Sequence, residues 1–88
     1  GDEYHGNNPV IYYLSDNRAI YIKLNHSFIK DESVYISVND LSGRTIINES
    51  VRTDRLVKLV LPASELPEIV ILNLFLAKTK WSYKILTN

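Results

Sequence analysis

The stretch Ile69-Val70-Ile71-Leu72-Asn73-Leu74-Phe75-Leu76 decides how this chain must fold. Seven of its eight positions are apolar, with one Asn and no Gly or Pro, and it lies between Pro67 and the cluster Lys78-Thr79-Lys80. A short apolar run between breakers reads as a strand buried on both faces. A buried helical segment is the competing reading, but the β-branched residues and the flanking breakers favour the strand. The other segments are shorter and more polar, and are expected to cover it.

On the N-terminal side, Pro62 ends a strand over residues 55–61, because proline cannot donate to a ladder. Val57, Leu59 and Leu61 share one face of that strand and Lys58 sits centrally on the other. Ala63-Ser64-Glu65-Leu66 reads as one helical turn carrying Leu66 as a plug under the sheet. On the C-terminal side, Lys78-Thr79-Lys80 turns the chain into a last strand over 81–87. Trp81, Tyr83 and Ile85 lie on one face there, and Ser82, Lys84 and Leu86 on the other.

Further back, residues 34–40 alternate most clearly, with Val34, Ile36 and Val38 inward and Tyr35, Ser37 and Asn39 outward. Asp40-Leu41-Ser42-Gly43-Arg44 is a turn whose glycine supplies a positive φ. Residues 45–51 pair back with Ile47 and Val51 inward, Ile46 leaving the register open. Arg52-Thr53-Asp54 is the next turn. Residues 10–14 and 19–24 form a hairpin about Ser15-Asp16-Asn17-Arg18, whose residues tolerate left-handed backbone angles, with Ile20, Ile22 and Leu24 on one face. Residues 25–33 read as a crossover that tucks Phe28 and Ile29 underneath. Residues 1–9 form a flexible N-terminal arm, and 10–88 a single domain.

Seven short strands at intervals of about ten residues, with no convincing helix, signal an all-β antiparallel sandwich or barrel. A strand apolar on both faces suits the middle of a sheet, which favours the seven-stranded, immunoglobulin-like sandwich. With no cysteine in 88 residues, no disulfide can join the sheets, and packing alone must hold them. A chain this short buries only roughly 60–65% of its unfolded surface, so the core must be efficient. Ten basic and ten acidic side chains cancel, without the basic surplus expected of a nucleic-acid binder. No run approaches the roughly 18 apolar residues of a membrane span. The chain opens on Gly1 without a basic-then-apolar leader, as expected of a mature form whose signal peptide has been removed.

Two segments carry a family resemblance. One is Tyr35-Ile36-Ser37-Val38-Asn39-Asp40-Leu41-Ser42-Gly43-Arg44-Thr45-Ile46-Ile47. The other is Leu61-Pro62-Ala63-Ser64-Glu65-Leu66, the apolar strand after it, and the ending Tyr83-Lys84-Ile85-Leu86. Together they resemble the short secreted immunoglobulin-like domains of unknown function of Bacteroidetes, and the related C-terminal sorting domains of type IX secretion. Both families place a hairpin after Asp-x-x-Gly-Arg, then a crossover with two leucines, then a closing hairpin. They usually follow the crossover with a Gly-apolar-Tyr step, where this chain has Pro67-Glu68-Ile69-Val70. That departure, and the additional N-terminal hairpin, favour the short secreted family over the sorting domain. The resemblance implies a bacterial protein that is secreted, periplasmic or displayed at the cell surface.

No catalytic constellation stands out. His26-Ser27 with Asp31 and Glu32 offers the residue types of a nucleophilic triad, but no strained elbow or oxyanion-forming glycine cluster accompanies it. Asp2, Glu3 and His5 are metal-ligand types without an evident fourth partner. Neither catalysis, a metal nor a cofactor is expected. The aromatic set Tyr12, Tyr13, Tyr21, Tyr35, Trp81 and Tyr83 is more informative, because flat rings on a sheet can stack on sugars. Tyr13, Tyr35, Trp81 and Tyr83 are the candidate binding surface. The bland alternative makes Trp81 and Tyr83 caps of the core and leaves Tyr13 or Tyr35 filling the outer face of a pleat. Open sandwiches also have edge strands that accept a partner's strand, and Lys23, Lys58, Lys80 and Lys84 read as guards against it. The expectation is a non-enzymatic exported binding or structural module that meets a protein or glycan partner through a sheet face or an edge strand. A sorting domain and a carbohydrate-binding module are the alternatives.

Overall fold

The computed structural model describes residues 8–24, 33–52, 56–76 and 78–88. Seven antiparallel strands run in the order β1 (Val10–Leu14), β2 (Ala19–Lys23), β3 (Ser33–Asp40), β4 (Thr45–Arg52), β5 (Leu56–Val60), β6 (Ile69–Leu76) and β7 (Thr79–Leu86). They form a three-stranded sheet, β1-β2-β5, and a four-stranded sheet, β4-β3-β6-β7. The two pack as a cysteine-free sandwich. The fourth strand joins β3 rather than β5, so the larger sheet is the one holding β6.

The inner faces follow from alternation. Ile20, Ile22, Val57, Leu59 and Leu61 come from the smaller sheet, and Val34, Ile36, Val38, Val70, Leu72 and Leu74 from the larger. Register puts like with like: Ile20 lies opposite Leu59, Ile36 opposite Leu74, and Val38 opposite Leu72. Without a disulfide, this interdigitated apolar layer is what joins the sheets, each fully buried aliphatic side chain contributing roughly 1.5–3 kcal/mol of transfer free energy. Leu66, from the β5–β6 crossover, packs against the layer from its rim.

The run at 69–76 is a central strand, paired to β3 on one side and β7 on the other. It is not buried on both faces. Val70, Leu72 and Leu74 are sealed, whereas Ile69, Ile71, Asn73 and Phe75 on the opposite face are half-buried. Among the described residues no third layer lies over them, and their partial cover comes from the neighbouring strands. Its apolar character on that face therefore reflects strand propensity and cross-strand packing rather than a second core.

Several turns differ from expectation in instructive ways. In the β1–β2 loop the turn's left-handed residue is Arg18 (φ 55°). A β-turn from Ser15 O to Arg18 N precedes it, and Leu61 compensates the unfavourable angle by accepting from Arg18 Nε and donating its own N–H to Arg18 O. The crossover after Pro62 is a turn rather than helical, with Glu65 left-handed (φ 58°). Register jumps by two on β4 between Val38–Ile47 and Asn39–Thr45, making Ile46 the extra residue of a bulge. That bulge explains why both Ile46 and Ile47 are half-buried where strict alternation allows only one. β7 starts at Thr79, so only residues 77 and 78 separate it from β6. Lys23 lies on the central strand β2 and guards no edge, whereas Lys58, Lys80 and Lys84 do lie on edge strands.

The expected arm at residues 1–7, and the crossover carrying Phe28 and Ile29, lie outside the described residues. Pro9, assigned to that arm by sequence, is buried.

Candidate binding surfaces

The four aromatic residues expected to form a surface do not share one face. Tyr13 lies opposite Ile20 on the inner side of β1 and packs against the core. Its hydroxyl is buried with no hydrogen-bond partner among the described residues. Trp81 and Tyr83 are brought together on the inner side of β7, opposite Leu74 and Leu72, and both lean on the core. Burial pushes the Tyr83 phenol above its ordinary value. Tyr35 alone points to solvent, from the outer face of β3.

That outer face of the four-stranded sheet is organised in rows. Tyr35 tilts against Phe75, its cross-strand partner, at 5.8 Å between ring centres, and Lys80 Nζ sits 5.4 Å from the Phe75 ring centre. In the next row the Ser82 hydroxyl donates to Asn73 Oδ1 (2.7 Å) and Asn73 Nδ2 donates to Asn39 Oδ1 (3.3 Å). The Ser37 hydroxyl also donates to Asn39 Oδ1 (2.8 Å), while Asn39 Nδ2 reaches Thr45 Oγ1 (3.2 Å). Asn73, the single polar residue of the apolar run, is thus the middle rung of a ladder that ties all four strands.

At one end of this sheet the Asp40 carboxylate organises the β3–β4 turn. Its Oδ1 accepts from the Ser42 hydroxyl (2.7 Å), the Ser42 N–H (3.0 Å) and the Arg44 N–H (2.9 Å), and Oδ2 meets Arg44 Nε at 3.2 Å. Gly43 supplies the positive φ of 94° that closes the loop. The Ser42 hydroxyl bond first, and the Arg44 N–H bond after it, hold the Asp40 carboxyl below its ordinary range. A cleft of about 270 Å³ lies between this turn and the β5–β6 crossover, lined by residues including Arg44, Ile46, Pro62 and Glu65. It falls just under the usual size of a small-molecule pocket.

The outer face of the three-stranded sheet has a different character. Val10, Tyr12 and Leu14 of β1 and Leu56 and Val60 of β5 are all exposed there, five of the eight large apolar side chains exposed among the described residues. Between them run Ala19, Tyr21 and Lys23 of β2, in register with both neighbours. Tyr12 and Tyr21 stack at 5.1 Å with their planes 11° apart, and Lys58 Nζ sits 5.9 Å from the Tyr21 ring centre. Asn17 Nδ2 reaches the Tyr21 hydroxyl at 3.5 Å. Among the described residues of its three strands, the outer positions carry two cations, Lys23 and Lys58, and no carboxylate.

Sequence reasoning missed this surface because β1 reads as apolar in both phases. Which phase faces the core is decided only by its partner, β2. The signal available was the matching phase of Tyr12, Tyr21 and Lys58, which alternation places on the side away from Ile20, Ile22 and Leu59.

His26-Ser27 with Asp31 and Glu32, and Asp2, Glu3 and His5, lie outside the described residues. Among the described residues no cluster of three or more His, Cys, Asp or Glu could hold a metal ion, and no helix is long and apolar enough to cross a membrane. No protein-family model and no curated protein sequence matches this chain.

Proposed function

We propose that this domain is a non-enzymatic, exported binding module that engages a partner protein through the outer face of its three-stranded sheet. The observation that carries the reading is the concentration of Val10, Tyr12, Leu14, Leu56 and Val60 on one face around a stacked tyrosine pair. Contiguous exposed apolar patches mark interaction sites more often than scattered single residues do. Lys23 and Lys58, with no acid at the described outer strand positions, fit a partner whose contact surface is apolar and flanked by carboxylates.

The experiment is affinity capture from a bacterial envelope extract on the immobilised domain, repeated with Val60→Lys and with Tyr35→Ala. The expected result is a species retained by the native domain and by Tyr35→Ala but lost with Val60→Lys, while all three proteins melt alike. Capture of nothing specific, or capture indifferent to Val60→Lys, defeats the reading.

A second reading has one observation in its favour. Tyr35 and Phe75 lie beside the amide and hydroxyl row of Asn39, Asn73 and Ser82 on the other sheet, the mixture of rings and polar groups that carbohydrate recognition uses. In that case glycan titration gives saturable binding that Tyr35→Ala removes and Val60→Lys spares.

A further inference from the structure

Among the described residues the sandwich has four edge strands, and three of them carry devices that discourage pairing with another chain. β4 has the bulge at Ile46, together with Glu49, which shares the inward phase of its partner Ile36 yet remains exposed. β5 has Lys58 at its centre, and β7 has Lys80 and Lys84 on its outer side. β1 has neither charge, proline nor bulge over Val10-Ile11-Tyr12-Tyr13-Leu14. Pro9 and the shortness of the strand limit how far pairing could extend, but nothing within those five residues opposes it.

We propose that β1 is a self-pairing edge: two copies of this chain join by antiparallel β1–β1 pairing about a twofold axis through Tyr12. A twofold antiparallel pair centred on Tyr12 sets Tyr12 against Tyr12, Val10 against Leu14 and Ile11 against Tyr13. The exposure of the strand is itself palindromic about Tyr12: exposed, half-buried, exposed, half-buried, exposed. Outward residues therefore meet outward residues and inward meet inward, as an isologous contact requires. Charge favours the edge over the face. Stacking two copies face to face would bring Lys23 and Lys58 into an apolar layer whose described strand positions hold no carboxylate to receive them. Edge pairing instead makes a six-stranded sheet in which the two Lys58 residues stand five strand spacings apart, roughly 24 Å, beyond the reach of screened repulsion. The Tyr12–Tyr21 stack and the Lys58 contact lie in one cross-strand row. Pairing at Tyr12 prolongs that row into four tyrosines capped by a lysine at each end.

The partner is thus a second copy, and the contact is an edge distinct from the face that binds other proteins, which it would double in area. Five residues of ladder make a contact well below the standard interface size, so association is weak and must be read at high concentration.

Sedimentation equilibrium of the native domain, up to on the order of 1 mM, tests this. The expected mass doubles with concentration. Tyr12→Lys, which sets like charges together on the axis, abolishes the doubling, and Val60→Lys on the far edge leaves it intact. Hydrogen exchange of the unmodified protein supplies a readout independent of any variant: amides of β1 gain protection as concentration rises, and those of β4, β5 and β7 do not. A monomer throughout overturns the inference. So does association that survives Tyr12→Lys but fails with Val60→Lys, or protection that grows on another edge. Because Val60→Lys removes partner capture but spares self-association, failure of this inference and failure of the proposed function are separable.

Discussion

The outer faces of the two sheets handle the same problem in opposite ways. On the four-stranded sheet, polar side chains occupy the middle row and bond to one another from Ser82 through Asn73 and Asn39 to Thr45. Lysines lie over or beside its apolar members, Lys80 on Phe75 and Lys84 opposite Ile71. On the three-stranded sheet the outer row ends are Leu14, Val60, Val10 and Leu56, each exposed, and only the middle row is stacked and capped. One face satisfies itself and the other is left with apolar surface to cover. The core needs neither arrangement, so the difference lies in the outer faces alone.

The sharpest way to break that comparison is to truncate one core residue of the four-stranded sheet and one outward residue of the three-stranded sheet. Leu72→Ala removes a fully buried side chain and is expected to cost about 2–5 kcal/mol by urea denaturation. Leu56→Ala, on the exposed outer face, should stay within about 0.5 kcal/mol of the native domain. A large loss at Leu56 would mean that the three-stranded sheet's outer face is covered after all. The ladder offers an intermediate case. Asn73→Ala takes the acceptor from the Ser82 hydroxyl and one of two donors from Asn39 Oδ1, and is expected to cost about 1 kcal/mol in the same denaturation. If Asn73→Ala proves neutral, the four-stranded face is not stitched together in solution, and the contrast collapses.

The smallest effect sits at the solvent-exposed Asp40 turn and is read through pH. Hydrogen bonds from Ser42 and Arg44 hold the folded carboxyl below its ordinary 3.8, so its stabilising contribution is complete above that value. The contribution is lost as pH falls through the lowered native value. Asp40→Asn should therefore melt slightly below the native domain at neutral pH, with the two curves converging in acid. A constant gap across pH would assign the effect to the loop backbone instead of the charge.

Much of this was legible in the chain because alternation is strict where a strand has one polar side. Val34, Ile36 and Val38, and Val57, Leu59 and Leu61, could be oriented from sequence for that reason, and Trp81, Tyr83 and Ile85 were correctly grouped. The reading ran out where a strand is apolar in both phases. In β1 the sequence could not say that Tyr12, rather than Tyr13, looks outward, and that choice determines the surface. β6 carried the same ambiguity in another form: its apolar outer positions looked like a second core, yet they are only half-buried. Two local features were beyond alternation altogether. The bulge at Ile46 depends on the pairing of β4 with β3, and the left-handed Arg18 is stabilised by Leu61, far along the chain.

The connection of β2 to β5 also sets a schedule. Ile20 pairs with Leu59, so the small sheet cannot close until the chain has been made past its fifth strand. At a synthesis rate of about 5–20 residues per second, the β1–β2 hairpin would wait on the order of 2–8 s for its third strand. During that interval both its faces are apolar: Ile11, Tyr13, Ile20 and Ile22 on one side, and Val10, Tyr12 and Leu14 on the other. Contacts this distant in sequence slow folding and prolong such exposure. The β1–β2 hairpin accordingly holds apolar side chains in the open until its third strand arrives.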